Sequence, residues 1–94
     1  MITLSKEGDF LMLRVEKRDN SLQDFDRGKI IAGILKSGAT QEQAEEVAGI
    51  IDSWILTVVN DKNVVASNTI YDKVLELLKR VNLDASVTYQ AFRK

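Results

Sequence analysis

From Phe25 onward the apolar residues of this chain recur at helical spacing in four separate runs, and no proline interrupts any of them. A run of that period buries one face only by packing against another element, so four in succession imply a helical bundle. Asp26 stands where an N-cap accepts the free amide of Gly28 or Lys29, ahead of the stripe Ile30, Ile31, Ile34 and Leu35, and Gly38 takes the C′ position after it. Thr40-Gln41-Glu42-Gln43 reads as a capping box opening the longest helix, with Ala44, Val47, Ala48, Ile51, Ile55 and Val58 on its apolar face. After a turn cluster, Asn60-Asp61-Lys62-Asn63, and a brief extended link at Val64-Val65, Ser67 or Asn68 caps a third stripe of Ile70, Val74, Leu77, Leu78 and Val81. A fourth helix, capped by Asp84, sets Ala85, Tyr89 and Phe92 on one face, where both rings read as core. The expected helices span about 26–37, 41–59, 68–81 and 85–93.

Ahead of these runs the pattern is strand-like. Ile2-Thr3-Leu4, a polar break at Lys6-Glu7-Gly8-Asp9, then Phe10, Met12 or Leu13, and Val15 suit two short strands, and Ser21 to Gln23 a third. Asp19-Asn20 tolerates the positive backbone angles of a tight hairpin. The expected architecture is α+β, a four-helix bundle capped by a small three-stranded antiparallel sheet over about 2–24, in one domain spanning 1–94.

Composition removes several kinds of chemistry. The chain has no cysteine and no histidine, which excludes disulfides, thiolate catalysis, histidine-dependent triads and zinc sites built on those ligands. Thirteen Lys and Arg against fourteen Asp and Glu leave a formal net charge of −1, so no broad basic field draws the molecule to nucleic acid or a membrane. No apolar run approaches the roughly 18 residues that span a bilayer, and the chain reads as cytoplasmic.

Any anion site is therefore local, and the best candidate joins Lys17, read as strand, to Lys29 in the first turn of a helix. Two cations brought together by a tight turn, one beside free helix-terminal amides, suit a polyphosphate, with Gly28 letting the backbone approach it. The plain alternative is two solvated surface lysines. A P-loop is ruled out: the Gly28-Lys29 step would need glycine where Gln23 stands and Ser or Thr where Ile30 stands. Nothing predicts hydrolysis, and binding without catalysis is the economical reading.

Val15-Glu16-Lys17-Arg18-Asp19-Asn20, a short spacer and Phe25-Asp26-Arg27-Gly28-Lys29-Ile30 together resemble the opening of the ATP-cone, the regulatory nucleotide-binding domain of ribonucleotide reductases. The family pattern is roughly Val-x-Lys-Arg-x-Gly followed by Phe-(Asp/Asn)-x-x-Lys-Ile, and Asn20 departs from it where glycine is usual. The stretch from Val64 to Ile70 and the ending Thr88-Tyr89-Gln90-Ala91-Phe92-Arg93-Lys94 are similar to later family segments, so the likeness runs from about Leu13 to Lys94. Gly28 and Gly33 are further departures, each weakening the first helix by about 1 kcal/mol relative to alanine.

The resemblance implies an allosteric module that binds ATP or dATP with Mg2+, without catalysis. It implies Lys17, Lys29 and Lys94 on phosphate, joined by the Ser67 hydroxyl, Arg18 on phosphate or the adenine edge, and Val15, Phe25, Asp26, Ile70 and Tyr71 near the nucleoside. Asp26 and Ser67 read equally as plain caps. The implied partner is a reductase subunit or another copy of the domain, whether the chain is an excised regulatory domain or acts in trans. A degenerate cone that serves only as a protein-interaction module is the alternative. A nucleic-acid binder using Lys17-Arg18, Lys79-Arg80 and Arg93-Lys94 is a weaker third.

Overall fold

The computed structural model of the protein describes residues 13–92. In chain order it contains strands β1 (Arg14–Glu16) and β2 (Leu22–Asp24), helices α1 (Arg27–Lys36) and α2 (Gln41–Val58), strand β3 (Val64–Ala66), and helices α3 (Ser67–Val81) and α4 (Leu83–Ala91). The strands expected at Ile2–Leu4 and from Phe10 fall wholly or mostly outside the described residues, as do Arg93 and Lys94.

The sheet is mixed, which corrects the antiparallel expectation. β1 lies in the middle, antiparallel to β2 with Val15 opposite Gln23, and parallel to β3 with Val15 opposite Val65. The supposed link at Val64-Val65 is thus a strand of its own. Its three residues are too few to show a period, and only pairing with β1 defines it. Arg14 N–H donates to the Asn63 carbonyl and Phe25 N–H to the Leu13 carbonyl, both at 2.9 Å, extending the ladder at either edge.

The β1–β2 hairpin closes as Asp19-Asn20 anticipates. Asn20 has φ of 70°, its N–H donates to the Lys17 carbonyl at 2.9 Å, and Lys17 N–H donates to the Ser21 carbonyl at 2.9 Å. Asparagine occupies this left-handed position at modest cost because its short polar side chain tolerates it. Asp19 Oδ1 accepts from Ser21 N–H at 3.0 Å and from Ser21 Oγ at 2.7 Å. These bonds hold the Asp19 carboxyl below its ordinary range, the Ser21 hydroxyl contributing most. Lys17 lies just past the end of β1, in the turn rather than on the strand.

The helices form where their caps and stripes predict, with informative exceptions. Asp26 caps α1 by accepting from Gly28 N–H at 2.9 Å and Lys29 N–H at 3.3 Å. Gly38, at φ 103°, follows the α1 C-cap Ser37. Thr40 and Gln43 close the capping box at 3.1 and 3.0 Å. Neither Ser67 nor Asn68 caps α3: its N-cap is Ala66, whose methyl group accepts no hydrogen bond, and Ser67 is already helical. Asp84 does not cap α4 either. Asn82 does, accepting from Ala85 N–H at 3.0 Å, and Asp84 sits inside the first turn.

Ile34, Val47, Ile51, Ile55, Val74 and Leu78, on α1, α2 and α3, are the large apolar side chains at the centre of the core, and Val65 of β3 joins them. Leu35 and Val58 belong to the expected stripes but lie at 37% and 39% exposure, on the solvent shoulders of their helices. Phe92 is half exposed, which corrects its assignment to the core, whereas Tyr89 packs partly buried against it.

One side chain joins three helices. The Gln43 amide completes the capping box through Oε1, which also accepts from Asn82 Nδ2 at 3.0 Å, while Nε2 donates to the Val81 carbonyl at 3.2 Å. The start of α2 is thereby tied to the joint between α3 and α4. Gln43→Ala is expected to cost about 1–3 kcal/mol, combining the lost cap with two unmatched polar groups at the joint. Gln43→Glu, which keeps the acceptor but loses the donor, is expected to cost less. Urea denaturation measures both, and a Gln43→Ala loss under about 0.5 kcal/mol would show that the joint does not depend on this amide.

Candidate functional site

The parallel pairing of β1 with β3 sets Glu16 opposite Ala66, so the two chains leave the sheet side by side, one into the Lys17 turn and the other into α3. A groove of about 620 Å³ opens there, lined by Lys17, Arg18 and Gln23 of the hairpin, Ser67, Asn68 and Tyr71 of α3, and Tyr89 and Phe92 at the end of α4. A smaller cavity of about 160 Å³ shares Lys17, Gln23, Ser67, Tyr71 and Tyr89 with it, and adds Val15, Phe25, Asp26, Lys29 and Ile70. The larger volume is of the size that holds a nucleotide-sized ligand, while the smaller is below it.

Lys17 borders both cavities, Arg18 the larger and Lys29 the smaller, and three carboxylates, Asp19 in the larger and Asp24 and Asp26 in the smaller, line the combined space with these three cations. The lining also includes aromatic side chains. The Tyr71 and Tyr89 rings are stacked, with centroids 5.4 Å apart and an interplanar angle of 16°. Burial first, and then the neighbouring Tyr71, push the Tyr89 phenol above its ordinary value, so it stays a neutral group near physiological pH. A lining that holds both cations and flat rings suits a ligand with a phosphate end and a planar end.

The two helix N-termini here differ in a way that reverses the sequence expectation. At α1 the amides of Gly28 and Lys29 are not free, because Asp26 Oδ1 already accepts from both. Gly28 serves that cap: a Cβ there would lie 3.2 Å from Asp26 Oδ1, so the glycine makes room for the carboxylate. At α3 the N-cap Ala66 makes no side-chain hydrogen bond, and the first helical residues, Ser67 and Asn68, line the groove. Of the two, the positive helix end without a side-chain cap is that of α3.

Nine of the ten residues singled out from the sequence, Val15, Lys17, Arg18, Phe25, Asp26, Lys29, Ser67, Ile70 and Tyr71, line these two cavities. The tenth, Lys94, lies outside the described residues. Gln23, Asn68 and Tyr89 line them as well and were not singled out. Gln23 and Asn68 carry no local signal, since a polar residue in a short strand or first helical turn is ordinary. Tyr89 could be placed only by knowing that α4 packs beside α3.

Among the described residues no helix is long and apolar enough to cross a membrane, and no group of three or more Asp and Glu is arranged to hold a metal ion. An uncharacterized protein of Archaeoglobus fulgidus is 51% identical over 37 residues, which are 39% of this chain and 79% of that protein. The family model of the ATP cone domain matches residues 13–94, covering both cavities, all four helices and all three described strands. A regulatory, nucleotide-binding role without catalysis goes with that family. With this match added to the α+β fold and the cation-rimmed groove, the chain belongs to the ATP-cone domain family.

Proposed function

We propose that this chain is an allosteric module that binds ATP or dATP in the groove between the hairpin, α3 and α4. The observation that carries the reading is the meeting of Lys17, Lys29 and the α3 N-terminus around one space walled by Tyr71 and Tyr89. Lys17, Arg18 and Lys29 neutralise the phosphates, joined by Lys94. Ser67 contributes its hydroxyl, and Val15, Phe25, Asp26, Ile70 and Tyr71 surround the nucleoside. Magnesium accompanies the triphosphate as its counter-ion, keeping phosphate and water oxygens as ligands.

A nucleotide regulates only if it binds two states of its target unequally. In this proposal those states are assemblies of a ribonucleotide reductase or a related protein, contacted by the chain as one unit, with a reductase subunit or a second copy as partner. The second reading, a cone that acts as a protein-interaction module without nucleotide, draws on the exposed Leu56, Leu83 and Val87, at 61%, 63% and 63% exposure. Titration with nucleotide separates the two.

Saturation at about 100 times the dissociation constant adds about 2.7 kcal/mol of stability, which raises the unfolding midpoint by more than about 10 °C in a domain of this size. The shift is expected with ATP or dATP plus magnesium and not with GTP. No shift at millimolar nucleotide would leave the interaction module as the function. Lys29→Ala and Lys94→Ala are each expected to weaken binding about 10- to 100-fold, the loss of one charged hydrogen bond, with the unliganded midpoint unchanged. Normal binding by both variants would put the phosphates elsewhere.

Ala66→Asp separates folding from binding. A carboxylate at the α3 N-cap is expected to raise unliganded stability by about 1 kcal/mol and to weaken ATP by setting a negative charge where phosphate approaches. Calorimetric titration of the variant checks both signs, and tighter ATP binding would move the phosphates away from α3.

A further inference from the structure

Helix α4 is held to the rest of the fold unequally along its length. At its start Asn82 both ends α3 and caps α4. Its N–H donates to the Leu78 carbonyl at 2.8 Å, its Oδ1 accepts from Ala85 N–H, and its Nδ2 donates to Gln43 Oε1 at 3.0 Å. Beyond this pinned end the anchorage is thin. The residues α4 buries are Ala85 and Ser86, both small, while α2 buries Val47, Ile51 and Ile55 and α3 buries Ile70, Val74, Leu77 and Leu78.

Among the described residues of α4, the large side chain packed against the core is Tyr89. It stacks on Tyr71 of α3, and its ring edge lies 3.5 Å from where a Cβ on Gly33 of α1 would stand. Tyr89 also borders both cavities, and Phe92, one turn along, borders the larger. The contact that docks the far half of α4 is thus part of the groove wall. On its other side α4 presents Leu83 and Val87, each 63% exposed and one turn apart, so they share a face.

We infer that α4 is a strap that pivots at Asn82, and that filling the groove tightens the docking of its far half, Val87 to Phe92. An element with little buried apolar surface opens at a lower free energy than the core around it. A ligand that contacts Tyr89 only in the docked arrangement shifts that opening equilibrium, and the same shift repositions exposed Val87 relative to the pinned Leu83. Occupancy is then legible on the outside of the molecule. The inference rests on the nucleotide reading for what fills the groove, and on α4's own contacts for the pivot.

Amide hydrogen exchange on the full chain, with and without magnesium ATP, tests it. Without nucleotide, the amides of Val87 to Phe92 are expected to exchange at least about tenfold faster than those of Val47 to Ile55 in α2. Tyr89→Ala is expected to widen that gap, and Tyr89→Phe, which keeps the ring stack, to leave it. Saturating ATP is expected to slow the Val87–Phe92 amides about tenfold or more. Equal protection of α4 and α2 without nucleotide overturns the strap, as does slowing in the Lys17–Ser21 hairpin with none in α4. No change in either segment overturns the nucleotide reading and the coupling together.

Discussion

Three paired residues, Arg14 to Glu16 against Val64 to Ala66, set the Lys17 turn beside the start of α3. Because the pairing is parallel, both strands run out at the same end, and the residues that follow them, Lys17 and Ser67, emerge next to each other. Were β3 antiparallel to β1, α3 would start at the opposite edge of the sheet and its N-terminus would face away from the hairpin. A strand of three residues spans only about 10 Å, so Lys29, which follows β2 back toward the far end, still borders the same space as Lys17. The shortness of the sheet is what lets cations from both ends meet.

Stability comes from the stripes of α1, α2 and α3 closing on one another, and the connections are where polar groups do specific work. Asn60 Oδ1 accepts from the N–H groups of Lys62 and Val64 at 2.8 and 3.0 Å, so the turn after α2 delivers the chain to β3 in register. Gln43 fastens the opposite corner, where α3 gives way to α4 through the single residue Asn82. Such side-chain bonds are worth only about 1 kcal/mol each. They nonetheless decide which way the helices leave their turns, and so which faces border the groove.

The two helix ends differ in one respect: the α1 terminus is closed by a side-chain cap and the α3 terminus is not. Asp26 occupies the amides of α1 and gives that terminus over to folding. Ala66 leaves the α3 terminus without a side-chain cap, a choice that sacrifices about 1 kcal/mol of helix stability and keeps a positive end turned toward the groove. The α4 helix shows a similar trade. Its inward face is small apart from Tyr89, so in the proposed strap a modest contact energy at the groove has leverage over its far half.

The sequence by itself determined the four helices, the Asp26 cap, the Thr40–Gln43 capping box and the tight turns at Asn20 and Gly38, because each depends on residues within one turn of one another. It also carried the Lys17-Arg18 and Phe25-Asp26-Arg27-Gly28-Lys29-Ile30 segments whose order marks the family. Only the tertiary structure decided that Val64–Ala66 is a strand and that it runs parallel to β1. The same is true of Tyr89, whose ring turns from anonymous apolar surface into groove wall once it meets Tyr71 of another helix. Local hydrogen bonds and periodicity are written in neighbouring residues, whereas strand pairing and ring stacking join residues far apart in the chain, and their partners are fixed only when the core closes.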